Sequence, residues 1–410
     1  MLTNILNILS EASLYLLLFG ITFSNSACEI FAVSMIAFFV IGRIVRRDPK
    51  PPKTAINIPL YILCAVIFVS FCRSAFFSES VRGFIRIIKF VFLYFAVVDF
   101  FIADKRRLER AFWAIMFTAS IAFANGIFQS VAGFDLMRHY GLQRGDYLRR
   151  IQGAFVHPND FGGYITTLLP LAFCFLCREL KNRQRLFLVV SCLMGMYCLL
   201  KTSSRGAWIG FLISLAVYLF VYNKKLLVMV PAAAALLIAL TPHGIERVMG
   251  LFSAEQNTVW ERKMLWKGTW EMIKAHPVLG FGINTFTQYF WKFRPAEYPD
   301  LRYAHNSYLQ MWAETGIIGL VAFLSTVFVV IKVTAGGLMR KAKSGSKGLI
   351  LLGLFAGYAG FLFQSGIDTH LFSLRLTTLF WVVTAYIMSI NKVLEGEIAS
   401  PSTVAMAGSQ

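Results

Sequence analysis

Acidic residues are few in this chain, and charge of either sign is thin. Asp and Glu number 21 against 40 Lys and Arg, and the four types together make up only 15% of 410 residues. A soluble domain of this length carries far more charge, so a water-soluble globular fold is excluded. Cysteine adds little: all seven lie in or at the ends of apolar runs, which argues against disulfides in exposed loops. Cys174 and Cys177 have C-x-x-C spacing, but inside an apolar helix they read as packing residues rather than a redox or metal pair. Also missing are H-E-x-x-H, a P-loop, a paired-aspartate motif for a divalent metal, and G-x-S-x-G. The histidines, His139, His157, His243, His276, His305 and His370, show no metal-ligand spacing. Nucleotide hydrolysis and metalloprotease chemistry therefore drop out. No metal and no cofactor is assigned, and no nucleic acid is expected as a partner.

What the chain has instead is length of apolar run. It is 57% hydrophobic, and stretches long enough to cross a hydrocarbon core of roughly 30 Å recur from end to end. Lipid offers no partner for backbone amides, and barrel strands would alternate, so these stretches must be helices. About twelve spans are expected, centred near Leu16, Ile36, Ile67, Phe92, Ile121, Leu169, Leu193, Leu215, Ala235, Ala322, Phe355 and Val382. The one at 226–240 is short and holds Pro231, and the one at 111–131 is interrupted by Asn125, Gly126 and Gln129. The expected fold is an all-α polytopic membrane protein: one transmembrane domain over residues 1–395, its first stretch a retained span, then a disordered cytoplasmic tail at 396–410.

Charge sets the orientation. Connections at residues 43–53, 105–110, 178–185, 224–225 and 332–347 are rich in Lys and Arg and fall at every second loop, so they are expected to be cytoplasmic. The long connections at about 133–160 and 242–305 then lie outside. They nevertheless hold twelve Lys and Arg residues, among them Arg138, Arg150, Arg262 and Arg302. Topology does not call for positive charge there, so an anionic ligand or attraction to lipid head groups is implied.

Ionisable groups at a membrane boundary are costly to desolvate and tend to be kept where they face a cavity, a partner or a substrate. By that test His305 is the best chemical candidate, in Arg302-Tyr303-Ala304-His305-Asn306-Ser307, which leads straight into an apolar helix. The same stretch also reads as an ordinary helix start capped by Asn306 or Ser307. Arg205 stands in Ser203-Ser204-Arg205-Gly206-Ala207-Trp208, a tight outer turn, where its fork of donors suits a phosphate. Arg82, Arg86 and Lys89 share one helical face entering the membrane from outside. Arg82 reads as snorkelling to head groups, and Lys89, deeper, as functional. Thr258-Val259-Trp260-Glu261 fits a capping box and predicts a helix to about Ala275, ended by His276-Pro277. Trp260, Trp266 and Trp270 suggest that this helix lies at the membrane interface, its Arg262, Lys263 and Lys267 meeting a phosphate-bearing lipid or anionic head groups.

Taken together, these segments resemble the O-antigen ligase and polymerase superfamily. The residues concerned are Gly153-Ala154-Phe155-Val156-His157-Pro158-Asn159-Asp160-Phe161, Ser204-Arg205-Gly206-Ala207-Trp208, His276-Pro277-Val278-Leu279-Gly280-Phe281-Gly282, and His305-Asn306-Ser307-Tyr308 followed by Glu314-Thr315-Gly316, in matching order and spacing. The resemblance implies a C-type glycosyltransferase of the bacterial inner membrane, most like an O-antigen ligase. It would move a glycan from a polyprenyl-diphosphate donor, on the periplasmic side, with inversion and without metal. The acceptor would be lipid A-core, or another lipid-linked glycan in a polymerase. By position, Arg205 and Arg262 would bind the diphosphate, with Arg86 and Lys89 as further candidates, and His305 would act on the acceptor hydroxyl. Asn159, Asn306 and Arg302 are weaker substrate-binding candidates, and His157 receives no role from the family pattern. Membrane lipids are the other expected partners. A lipid-linked glycan transporter would show internal repeats and broken midplane helices, neither of which stands out, and a scaffold would not require Arg205 or His305.

Overall fold

The computed structural model describes residues 2–144, 149–241, 244–249, 257–294, 303–341 and 345–399, so Arg302, His243 and residues 400–410 lie outside it. The chain begins with five long helices, α1 (Leu2–Phe23), α2 (Asn25–Val45), α3 (Asn57–Cys72), α4 (Phe77–Ala103) and α5 (Arg106–Ala132). A hairpin of β1 (Gln143–Arg144) and β2 (Arg149–Arg150) follows. Next come α6 (Pro158–Leu176), α7 (Asn182–Thr202), α8 (Arg205–Asn223) and α9 (Met229–Ala239). The last group is α10 (Gly244–Met249), α11 (Asn257–Ala275), α12 (Phe286–Phe290), α13 (Ser307–Lys341), α14 (Ser346–Ser365) and α15 (Leu374–Ala399). The fold is all-α, and every expected span centre falls inside a helix.

By length and apolarity, eight stretches among the described residues qualify as membrane spans, with α8 and α9 counted as one. The shortfall from twelve has local causes. Helix α3 has 16 residues, α4 carries Arg86, Lys89 and Asp99, and α6 opens on Asn159 and Asp160. Helix α9 is short, but the chain leaves the end where Arg205 stands along α8 and is back at that end by Arg262. The 3-10 turn Lys224–Val228 plus α9 rises roughly 26 Å, close to one crossing.

Helix α15 is the axis: 94% of the residues in its apolar stretch are buried inside the protein, against 22% for α2, which is left for lipid. Beside it α14 packs on α6 and α8. A Cβ on Gly357 would stand 2.0 Å from the Thr167 carbonyl oxygen and one on Gly360 2.2 Å from Ser214 Oγ, so small residues set how close these helices come.

Two of the sequence motifs interlock. Residues 276–282 pack against the kink in α13 at Gly316 (φ +69). Phe281 N–H donates to Ala313 O at 3.0 Å, Gly282 N–H to Glu314 O at 2.8 Å and Ile317 N–H to Pro277 O at 2.9 Å. Gly280 (φ +65) has no room for a side chain, because a Cβ would lie 2.4 Å from the Glu314 backbone. The Glu314 carboxylate then accepts from the Asn284 and Phe286 amides at 2.9 and 3.2 Å, securing the start of α12. Leu265, Met272, Ile273, Phe286, Phe290 and Ala313 form a second, smaller core. Helix α11 thus buries one face on α12 and α13, with Trp270 edge-on to Trp312 at 5.5 Å. The capping-box reading had the right span, but the helix is docked on protein, which fixes Arg262 relative to His305.

Candidate active site

The beginnings of α6, α8, α11 and α13, the middle of α4 and the α14–α15 connection converge at one end of the molecule. They line a cavity of about 630 Å³ that opens to solvent, bordered among others by Arg86, Arg150, His157, Asn159, Arg205, Arg262, His305, Asp368 and Arg375. His305 has a left-handed backbone (φ +46), a strained conformation for a residue with a side chain. The surrounding bonds hold it there: Ser307 donates through both N–H and Oγ to the Asp368 carbonyl at 3.2 and 2.9 Å, and its Oγ accepts from Leu371 N–H at 3.3 Å.

The same connection supplies the partner of the imidazole. His305 Nδ1 lies 3.0 Å from Asp368 Oδ1. An ionised carboxylate only accepts, so Nδ1 carries the proton and the neutral ring keeps its lone pair on Nε2. No hydrogen bond engages Nε2 among the described residues, and the side chain is 39% exposed to the cavity. Asp368 itself is 6% exposed and receives donors on both oxygens. Thr369 N–H reaches Oδ1 at 3.0 Å, while Asn159 Nδ2 at 2.6 Å and Arg262 at 3.4 Å reach Oδ2. Burial alone would push the carboxyl up, but the His305 hydrogen bond and the neighbouring His370 and Arg262 outweigh it and hold Asp368 well below the usual carboxylate range. His157, on the cavity wall, is pushed down from its ordinary value by burial, with Asp368 opposing and His305 and Arg150 adding to the shift.

Of the residues singled out in the sequence, Arg205, Arg262, Arg86, Asn159 and His305 all line this cavity. Lys89 does not: it pairs with Glu29 of α2 at 2.6 Å. Asn306 also lies off the lining, its Oδ1 accepting from the Tyr308 and Leu309 amides at 3.0 Å each, so it caps α13 as the alternative reading had it. Arg302 lies outside the described residues. Asp368 was missed. It stands in Gly366-Ile367-Asp368-Thr369-His370 between two apolar helices, and the rule that picked out His305 applies to it equally. The cavity can hold an anion against guanidinium groups and present a basic nitrogen to a hydroxyl beside it. Among the described residues no set of His, Cys, Asp and Glu side chains is arranged to hold a metal ion.

Comparison with known proteins agrees with this picture. The chain is 23% identical over 342 residues to the O-antigen ligase of Salmonella typhimurium, covering 78% of this chain and 81% of the relative. It is 23% identical over 337 residues to the teichuronic acid biosynthesis protein TuaE of Bacillus subtilis, covering 74% of this chain and 64% of that relative. An uncharacterized protein of Haemophilus influenzae is 26% identical over 183 residues, 37% of this chain and 45% of its own. Residues 187–324, which hold Arg205, Arg262 and His305, match the O-antigen ligase family model, and the helical stretches long and apolar enough to cross a membrane make the chain a multi-pass membrane protein.

Proposed function

We propose that this protein is an O-antigen ligase: a glycosyltransferase of a bacterial inner membrane, working on the periplasmic side. It moves a glycan from a polyprenyl-diphosphate carrier to a sugar hydroxyl of lipid A-core, with inversion and without metal. The observation that carries the reading is His305, held through Nδ1 by Asp368, facing the same cavity as Arg205, Arg262 and Arg86. In the reaction the acceptor oxygen bonds to the anomeric carbon as the bond to the diphosphate oxygen breaks. The hydroxyl proton passes to His305 Nε2, and Asp368 stabilises the imidazolium that forms. The departing diphosphate gathers charge, which the fixed guanidinium groups of Arg205, Arg262 and Arg86 offset. Because Arg262 also touches Asp368, the donor site and the acid-base site share a charge network.

Two variants separate the roles. With purified protein, a polyprenyl-diphosphate glycan and a core acceptor, His305→Ala is expected to lose roughly 10² to 10⁴ in turnover with donor binding kept. Arg205→Ala is expected to weaken donor binding as well, and Arg205→Lys to recover little, since the bidentate fork is gone. Near-normal turnover in His305→Ala rules out the proton role, and normal donor affinity in Arg205→Ala rules out the diphosphate role. Polymerisation of lipid-linked repeats, as in O-antigen or exopolysaccharide polymerases, is the alternative. A deletion strain that keeps single-repeat glycans on its core indicates a polymerase, whereas loss of all long chains with accumulation of lipid-linked polymer indicates the ligase.

A further inference from the structure

Arg150 is one of the basic residues whose place in an outer loop suggested an anion contact, and its hydrogen bonds suggest something else. Its Nε donates to the Thr202 carbonyl at 2.7 Å and its Nη2 to Asn159 Oδ1 at 2.9 Å. Asn159 Nδ2 in turn donates to Asp368 Oδ2 at 2.6 Å, and Asp368 Oδ1 accepts from His305 Nδ1. Guanidinium can only donate and carboxylate can only accept, so the amide between them has one workable orientation. Turned over, Asn159 would set its NH₂ against Arg150 and its carbonyl oxygen against Asp368.

We infer that Arg150 is a positioning residue, which orients Asn159 so that Asn159 holds Asp368 against His305. This rests on the transferase reading of the site. Its test is the transfer assay on the full-length protein, with Arg150→Met, which keeps the stem and removes the donors, Arg150→Lys, whose ammonium keeps a donor close to where the guanidinium reaches Asn159, and Asn159→Ala. Arg150→Met is expected to lower kcat roughly tenfold to a hundredfold, the worth of a hydrogen bond to a charged group, with the donor KM little changed. Arg150→Lys is expected to recover much of that loss. In the Asn159→Ala background Arg150→Met is expected to add almost nothing, because both changes cut the same chain.

Additive losses in the double variant overturn the proposal. So does a raised donor KM with kcat little changed, which marks a direct anion contact, and so does a loss that follows a fall in melting temperature in every variant, which marks a purely structural tie to Thr202. A wild-type protein that transfers no glycan overturns the transferase reading itself. Transfer that depends on His305 while the Arg150 and Asn159 losses add up overturns only this inference.

Discussion

Asp368 and Glu314 are both buried carboxylates, 6% and 1% exposed, and they are satisfied in opposite ways. Glu314 receives backbone amides, Asn284 and Phe286, with the side chain of Gln310 at 3.5 Å, and sits beneath the interlocked glycines of residues 276–282 and 316. Asp368 receives side chains from three separate helices or helix starts, His305, Asn159 and Arg262, each of which also lines the cavity. A carboxylate capped by amides fixes a loop. One ringed by a cavity-facing imidazole, guanidinium and amide sets the orientation of groups that face the cavity. Partner type, more than burial, thus separates scaffold from chemistry here.

The comparison breaks most visibly if the two are replaced in parallel. Asp368→Asn puts an NH₂ where one of two acceptor oxygens stood, facing donors on either side, so His305 loses its orientation and its counter-charge. Turnover is expected to fall by roughly 10² to 10⁴, with most of the protein still folded. Glu314→Ala is expected to act first on stability, since two amides lose their acceptor at about 1–3 kcal/mol each, while protein that remains folded keeps most of its turnover. Single-turnover rates beside thermal unfolding in the same detergent check both. Equal loss of rate per folded molecule in the two variants would erase the distinction.

How much of this could be read beforehand follows the same division. Apolar runs located every helix of the bundle, because a span needs only length and composition. The tight turn at Arg205 and the polar stretch at His305 were legible because they interrupt those runs. Lys89 also interrupts a run, yet its pairing with Glu29 depends on how α2 and α4 pack, which local sequence does not determine. Asp368 lies 63 residues from His305 along the chain and came into view only once α14 and α15 brought it back to the start of α13. Glu314-Thr315-Gly316 entered only as part of the family pattern, and its place as the socket for residues 276–282 depends on how the two segments pack.

Acidity gives a smaller, more selective test. A carboxyl held below its ordinary range in the folded protein contributes stability that is complete above the unfolded value, about 3.9, and is lost as pH falls toward the folded one. Asp368 is such a group. Wild-type protein is therefore expected to lose stability as pH drops below roughly 4, and Asp368→Asn, with one carboxylate fewer to protonate, to lose less over the same interval. The difference between the two unfolding curves is the quantity to follow. Parallel curves would mean that Asp368 is no better stabilised in the folded state than in the unfolded chain.

The smallest expected effect is none at all, and it comes from the way Asp368 is occupied. A divalent ion bound here would need oxygen lone pairs directed at it. Asp368 already meets His305 and Thr369 on one oxygen and Asn159 and Arg262 on the other. An ion would have to displace Arg262 or Asn159, and so break the ring that distinguishes Asp368 from Glu314. Transfer by purified protein is therefore expected to run at the same rate in excess chelator as in buffer, at saturating donor and acceptor. The informative control is magnesium or manganese added back after chelation. Activity lost in chelator and restored by either ion would mean that the carboxylate trades its protein donors for a metal during the reaction, and the assignment of charge stabilisation to Arg205 and Arg262 would have to be given up.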